Sequence, residues 1–270
     1  MFDLREVIER ALAEDIGPGD VTTLACVEAG VEASGTFCTR QPMVLAGVEI
    51  LEILYEGETS LALVARTGER LVSGSIIATV RGSARTLLTR ERVALNFLQR
   101  LSGIATLAAQ YVDAVAGTGT KILDTRKTTP GLRRLEKAAA AAGGVINHRI
   151  GLYDAILIKN NHIAAAGGVL PALERVCGSN LRVEIEVRTR TEMEEALASG
   201  AKHLLLDNLT PAEAREWIAH IAGRATVELS GNITLDNIRA YAEAGPDFIS
   251  SGAITHSAPA VDINFRLELG

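Results

Sequence analysis

Cysteine is scarce. Cys26, Cys38 and Cys177 are odd in number, far apart and without CxxC or nearby histidine spacing, so the 270-residue chain offers neither a disulfide framework nor a cysteine-based zinc site, and the three are read as reduced thiols. An excess of base is also missing. Lys and Arg number 27 against 33 Asp and Glu, a net charge of −6, which argues against general binding to a phosphate backbone and makes any basic site a local one. The opening Met1-Phe2-Asp3-Leu4-Arg5-Glu6 carries acids where a signal peptide needs a basic start followed by an apolar stretch, so the expected location is the cytoplasm. Low-complexity tracts are absent. With 47 % hydrophobic and 22 % charged residues, the composition is that of an ordinary globular protein.

The apolar residues Leu4, Val7, Ile8, Ala11 and Leu12 fall on one stripe, which predicts an amphipathic helix over residues 2–15 closed by Gly17-Pro18-Gly19. From Ser34 to Arg81 the pattern changes to short β-prone runs, 35–40, 61–66 and 76–81, separated by glycine turns, which predicts antiparallel strands in a small α+β domain. A helix over 84–101 is apolar on most sides except for Arg85, Thr89, Arg92, Asn96 and Gln99, which share a face. That stripe is either solvated or lines a site or subunit contact. After Lys121, short apolar strands (122–125, 155–158, 183–187, 203–206, 226–229 and 248–250) alternate with helical segments, including 132–142, 191–199, 211–222 and 235–244. Alternation roughly every 20–30 residues predicts successive βα units around a parallel sheet, hence an α/β barrel or most of one.

In such barrels the catalytic groups stand at the C-terminal ends of the strands. Here those ends read Asp124-Thr125-Arg126-Lys127, Lys159-Asn160-Asn161-His162, Glu186, Asp207-Asn208, Ser230-Gly231-Asn232 and Ser251-Gly252-Ala253. One polar residue ending a strand means little; six in series point to a site. Lys159, Glu186 and Asp207 follow or lie within apolar runs where an unpaired charge is costly, so they are expected to pair with one another or with a ligand. The two late Ser-Gly turns suit a phosphate held by backbone N–H groups and a helix N-terminus. Arg126, Lys127, His148, Arg149 and Lys159 make a local basic pocket, with arginine matched to carboxylates and lysine to phosphate.

The chain resembles the quinolinate phosphoribosyltransferase family almost end to end. The resemblance is carried by Glu91-Arg92-Val93-Ala94-Leu95-Asn96, Leu101-Ser102-Gly103-Ile104-Ala105-Thr106, Thr125 through Arg133, and Asn147-His148-Arg149 through Asn161-His162. It implies an N-terminal α/β sandwich domain over 1–107, with 258–270 packing back on it, and an open α/β barrel over 108–270. It further implies a pentosyltransferase of NAD biosynthesis, working as a homodimer with a shared active site, with assembly to a hexamer left open. On that resemblance Arg92 reaches the partner's barrel, and Arg126, His148, Arg149 and Lys159 surround the pyridine dicarboxylate. Lys127, Glu186, Asp207, Ser230, Gly231, Asn232, Ser251, Gly252 and Ala253 are the implied contacts for 5-phosphoribosyl 1-pyrophosphate, and Thr125 an implied substrate-binding residue. Lys127, Glu186 and Asp207 are the implied catalytic groups, and Glu186 and Asp207 the implied holders of Mg²⁺; no organic cofactor is implied. Two positions depart from the family pattern: Asn160 replaces an acid, and Asn232 stands where many members have glycine. A molybdenum-transport-associated paralogue, a Schiff-base lyase using Lys159 and a non-catalytic phosphoribosyl pyrophosphate binder remain as alternatives.

Overall fold

The computed structural model of the chain describes residues 3–57 and 59–269. In chain order its strands are β1 (Glu32–Thr39), β2 (Met43–Val44), β3 (Ser60–Leu63), β4 (Arg70–Leu71), β5 (Ile76–Ser83), β6 (Lys121–Leu123), β7 (Ile156–Ile158), β8 (Val183–Val187), β9 (His203–Asp207), β10 (Thr226–Ser230), β11 (Phe248–Ser250) and β12 (Ile263–Leu269). Two compact units result. One comprises Met1–Ala109, Thr129–Gly144 and Ser257–Gly270, and the other Gln110–Thr128 and Val145–His256.

The first unit is built on an antiparallel sheet of order β12-β1-β5-β3. Phe37 of β1 is fully buried and its ring packs against Phe265 of β12 at 4.7 Å between centroids. Gly35 faces the same ring, and a Cβ there would stand 1.9 Å from Phe265. The C-terminal strand is thus a structural member of this sheet. The first helix runs Leu4–Ile16, capped by the Asp3 carboxylate on the Arg5 N–H and ended by Gly17; Phe2, where the sequence pattern would start it, lies outside the described residues.

The polar-striped helix extends over Ala84–Ala114, well past the expected residue 101, and the expected domain boundary after 107 falls inside it. Three of its five stripe residues are neither solvated nor free for a partner. The Arg85 guanidinium donates to Val27 O, the Thr89 hydroxyl to Asp20 Oδ2, and the Gln99 amide to Ile263 O, while Arg92 and Asn96 stay exposed. Thr129–Gly144, which contains the helical segment expected over 132–142 in the barrel, clusters with this unit. Its Glu136 is fully buried, yet it accepts from the Arg100 guanidinium at 2.8 Å, the Thr129 hydroxyl at 2.7 Å and the Thr129 N–H at 3.0 Å, which compensates the cost of burying the charge.

The second unit holds six parallel strands in the order β6-β11-β10-β9-β8-β7. The ladder is open between β6 and β7, and β6 gains one further parallel bridge, Leu123 to Ile146. All six predicted strands are present. Helices follow because local signals agree with the pattern: Thr189 with Glu192 and Thr210 with Glu213 form capping boxes at the starts of Arg190–Ala198 and Pro211–Ile221, each cap worth about 1 kcal/mol. The expected helix 235–244 is shortened to Ile238–Ala242, and two helices without a strong prior signal, Asn160–Ala166 and Val169–Val176, follow β7. Among the described residues no helix is long and apolar enough to cross a membrane.

Gly103 tests the packing of the long helix. A Cβ at this position would lie 2.1 Å from the backbone oxygen of Pro259, which has no side-chain freedom with which to retreat. Helix propensity favours alanine over glycine by about 1 kcal/mol, whereas overpacking against backbone costs roughly 1–3 kcal/mol. Gly103→Ala should therefore unfold at lower urea concentration than the wild type; equal or greater stability would contradict this contact.

Candidate active site

The C-terminal ends of β7 to β11 line one cavity of about 570 Å³, within the range of small-molecule sites. The alternation of side chains along each strand builds it in two levels. At the rim stand Lys159, just after β7, Glu186 of β8, Asp207 of β9 and Ser230 of β10. Two residues earlier on the same faces come Leu157, Glu184, Leu205 and Glu228, of which Leu157, Leu205 and Glu228 line the cavity.

Two of the three rim charges, Lys159 and Glu186, pair with each other, and Asp207 pairs with Arg188. Lys159 Nζ lies 3.5 Å from Glu186 Oε2, and Arg188 Nη2 bridges Glu186 Oε1 at 2.9 Å and Asp207 Oδ2 at 3.1 Å. Arg188, one residue beyond β8, is a participant that the strand-end reading did not include. Asn208 Nδ2 donates to Asp207 Oδ2 at 2.7 Å and accepts at its Oδ1 from Asn232 Nδ2 at 3.2 Å, which links the loops after β9 and β10. Gly231, with φ of 101°, is required there because a Cβ would stand 2.3 Å from Asn208 Oδ1.

The cationic side is fixed from β6. Asp124 is fully buried and accepts from the Asn147 amide and the His148 N–H, both at 2.7 Å, so the end of one strand sets the loop that carries His148 and Arg149. The Arg149 guanidinium donates to Ala155 O at 2.9 Å, and Asp154 closes the turn by accepting from Ile150 and Gly151 N–H. Burial, and next the like charge of Arg126, pull Arg149 below the usual guanidinium range. Two arginines that repel each other in a cavity favour a ligand bearing more than one negative charge.

Beneath the rim, the Arg149 N–H donates to His148 Nδ1 at 2.7 Å, which leaves Nε2 as the protonated nitrogen. Nε2 faces Glu184 Oε2 at 3.3 Å and Glu228 Oε2 at 3.5 Å. Burial opposes ionisation of Glu184, but the His148 hydrogen bond and the Arg182 guanidinium outweigh it and hold this carboxyl below its usual range. Glu228 goes the other way: burial, then the Glu184 charge, push it up to about 7. The ligating atoms of His148, Glu184 and Glu228 lie within 4.8 Å of one another. That set suits Mg²⁺ poorly, since it offers a nitrogen donor and a carboxyl that keeps its proton, whereas Glu186 and Asp207 offer the oxygen donors at an open rim that Mg²⁺ takes alongside water and phosphate.

Two family models divide the chain between them. The N-terminal domain of quinolinate phosphoribosyl transferase matches residues 20–102, and its C-terminal domain matches residues 104–266. The chain belongs to the quinolinate phosphoribosyltransferase family. Relatives in this family include the nicotinate-nucleotide pyrophosphorylase [carboxylating] of Mycobacterium leprae, 42 % identical over 97 % of this chain and 96 % of that protein. A probable nicotinate-nucleotide pyrophosphorylase of Bacillus subtilis is 39 % identical over 99 % and 94 %. The solved nicotinate-nucleotide pyrophosphorylase of Francisella tularensis superposes with a TM-score of 0.93 at 36 % identity, covering 98 % of this chain and 96 % of that one. The α/β architecture, with its parallel six-stranded sheet and smaller N-terminal domain, is that of the family.

For this quinolinate phosphoribosyltransferase chain, one cavity gathers Thr125, Arg126, Lys127, His148, Arg149, Lys159, Glu186, Asp207, Ser230, Gly231, Asn232, Ser251, Gly252 and Ala253. Arg92 is not among its lining residues; it is exposed on the helix of the first unit. Some of the gathered groups are already engaged. The Thr125 hydroxyl accepts from the Lys127 N–H, and Ser251 uses its N–H on Leu123 O and its hydroxyl on Ile233 O. The helix after Gly252 is a single turn, Ala253–His256. Glu184, Arg188, Glu228 and His256 belong to the site without having been singled out. For Glu184 and Glu228 the signal was available, because residues two apart on a strand share a face with Glu186 and Ser230.

Proposed function

We propose that the chain transfers the phosphoribosyl group of 5-phosphoribosyl 1-pyrophosphate to the ring nitrogen of quinolinate, releasing pyrophosphate and CO₂ and giving nicotinate mononucleotide for NAD biosynthesis. The observation that carries this reading is the pairing of opposites in one cavity: Arg126 and Arg149, mutually repelling, beside Glu186 and Asp207 bridged by Arg188. The names of the relatives agree with it.

Arg126, Arg149 and Lys159 take the two carboxylates of quinolinate, with His148 behind them, and so aim the ring nitrogen at the sugar. Such orientation can supply up to roughly 10 kcal/mol of the barrier. As pyrophosphate leaves, the ribose ring becomes cationic, and Glu186 and Asp207 present fixed negative charge to it. Arg188 bridges those two carboxylates and holds them side by side. Lys127 and the turns Ser230-Gly231-Asn232 and Ser251-Gly252-Ala253 receive the phosphates. Glu186 and Asp207 would hold Mg²⁺, which would supply neutralisation of the leaving group's charge. No organic cofactor is required, because the ring nitrogen, once alkylated, is itself the electron sink for loss of CO₂. The enzyme works in the cytoplasm as a homodimer in which Arg92 completes the partner's site.

With 5-phosphoribosyl 1-pyrophosphate and Mg²⁺, the purified protein should form nicotinate mononucleotide from quinolinate and none from nicotinate, which lacks the second carboxylate; equal use of both acids would defeat the reading of the arginine pair. Arg92→Ala and Glu186→Ala homodimers should each be nearly inactive, and re-formed mixed dimers should recover part of the activity. Absence of recovery after demonstrated subunit exchange would remove Arg92 from the shared site.

A further inference from the structure

Glu228 occupies a level of the barrel interior where aliphatic side chains are the norm. It is 2 % exposed, yet its carboxyl lines the cavity, and among the described residues neither of its oxygens has a hydrogen-bond partner. A buried carboxyl without a donor cannot hold a charge cheaply. Of the groups packed around it, Glu184 adds to this, while His148, Ser250 and Arg182 oppose it more weakly. From β8 comes the anionic Glu184, with Arg182 just before that strand already paired to Glu184 Oε1 at 3.3 Å. From the loop before β7 comes His148, nearer to Glu184 than to Glu228. On the register-matched neighbours, β9 presents Leu205 and β11 its Phe248–Ser250 segment, neither bringing a charge, although the Ser250 hydroxyl favours the carboxylate form without outweighing burial and Glu184. Glu228 therefore keeps its proton to about pH 7. The result is a neutral carboxylic acid facing the cavity from below, walled off from bulk water.

We propose that Glu228 is the general acid that protonates the substrate carbon losing CO₂. This rests on the phosphoribosyl-transfer reading and adds the proton that reading requires. In quinolinate mononucleotide the bond between ring carbon C2 and its carboxylate breaks, CO₂ departs, and the electron pair stays on C2 beside the cationic ring nitrogen. C2 takes the proton from the Glu228 O–H as CO₂ leaves and before it can recombine, which gives nicotinate mononucleotide and leaves Glu228 as a carboxylate. Water admitted after product release returns the proton, so each turnover consumes one proton and no oxidant or reductant. Lys159 is the less suitable donor. It stands half-exposed at the rim and is paired with Glu186, whereas Glu228 lies two residues below Ser230, buried, with the Glu184 carboxylate beside it to share its proton.

The test is a single-turnover experiment on the whole protein with quinolinate labelled in the 2-carboxyl group, 5-phosphoribosyl 1-pyrophosphate and Mg²⁺, following pyrophosphate, CO₂ and nucleotides separately. In Glu228→Gln, which keeps the size and neutrality of the protonated acid, CO₂ release should fall about a hundredfold more than pyrophosphate release, the usual scale for a general acid, and quinolinate mononucleotide should accumulate. In the wild type the CO₂ step should slow as pH rises through about 7, because the acid form is the active one, and the variant should lose that dependence. Equal losses of pyrophosphate and CO₂ release in the variant would make Glu228 merely structural and overturn the proposal. So would a wild-type CO₂ step indifferent to pH, a readout that needs no variant to fold. A wild type that releases no pyrophosphate from the substrates would overturn the phosphoribosyl-transfer reading itself.

Discussion

Burial of three neighbouring carboxyl groups on β8 and β10 is the constraint on which the second unit turns. Glu184, Glu186 and Glu228 are each less than 5 % exposed, and an uncompensated carboxylate at that depth costs several kcal/mol. Each is resolved differently. Glu186 is neutralised by Lys159 and Arg188, Glu184 by His148 and Arg182, and Glu228 by keeping its proton. The arrangement makes little sense as a device for stability, since aliphatic residues at the same positions would pack without any of these compensations. It makes sense as a preorganised field, with charge of both signs held in place before a ligand arrives.

The same constraint connects distant parts of the chain. Asp124 at the end of β6 spends both carboxylate oxygens on the loop at Asn147 and His148, so the arginine and histidine side of the site is positioned by the far edge of the sheet. Across the sheet, the Asn208 and Asn232 side chains tie two strand-end loops together, and Asn208 also supports Asp207. Both asparagines adopt left-handed backbone, with φ of 60° and 52°, which asparagine tolerates better than most residues. Asn232, one of the two departures from the family pattern, thus has a structural part to play. Asn160, the other, opens the helix after β7.

Much of this was legible from sequence. The short apolar runs 183–187, 203–206 and 226–229 located strands, and their polar ends located the rim. The rest depended on information that no local pattern contains. Arg188 follows its strand as an ordinary polar stop, and only the fold places its guanidinium between Glu186 and Asp207. The stripe of Arg85, Thr89 and Gln99 reads as one polar face, yet its partners Val27, Asp20 and Ile263 are scattered along the chain. The expected barrel helix 132–142 has the right periodicity, but its buried Glu136 is satisfied by Thr129 and by the distant Arg100, and such a partnership is not encoded in hydrophobic spacing. Glu184 and Glu228 were accessible through strand alternation, and a search confined to strand ends passed over them.

The account holds that quinolinate loses its 2-carboxyl group only after phosphoribosyl transfer has made the ring nitrogen cationic. Quinolinate labelled in that carboxyl, incubated with the protein and Mg²⁺ with and without 5-phosphoribosyl 1-pyrophosphate, tests this directly. Labelled CO₂ should appear in step with pyrophosphate and only when 5-phosphoribosyl 1-pyrophosphate is present. Labelled CO₂ released without it, or label retained in the nucleotide product, would contradict the account.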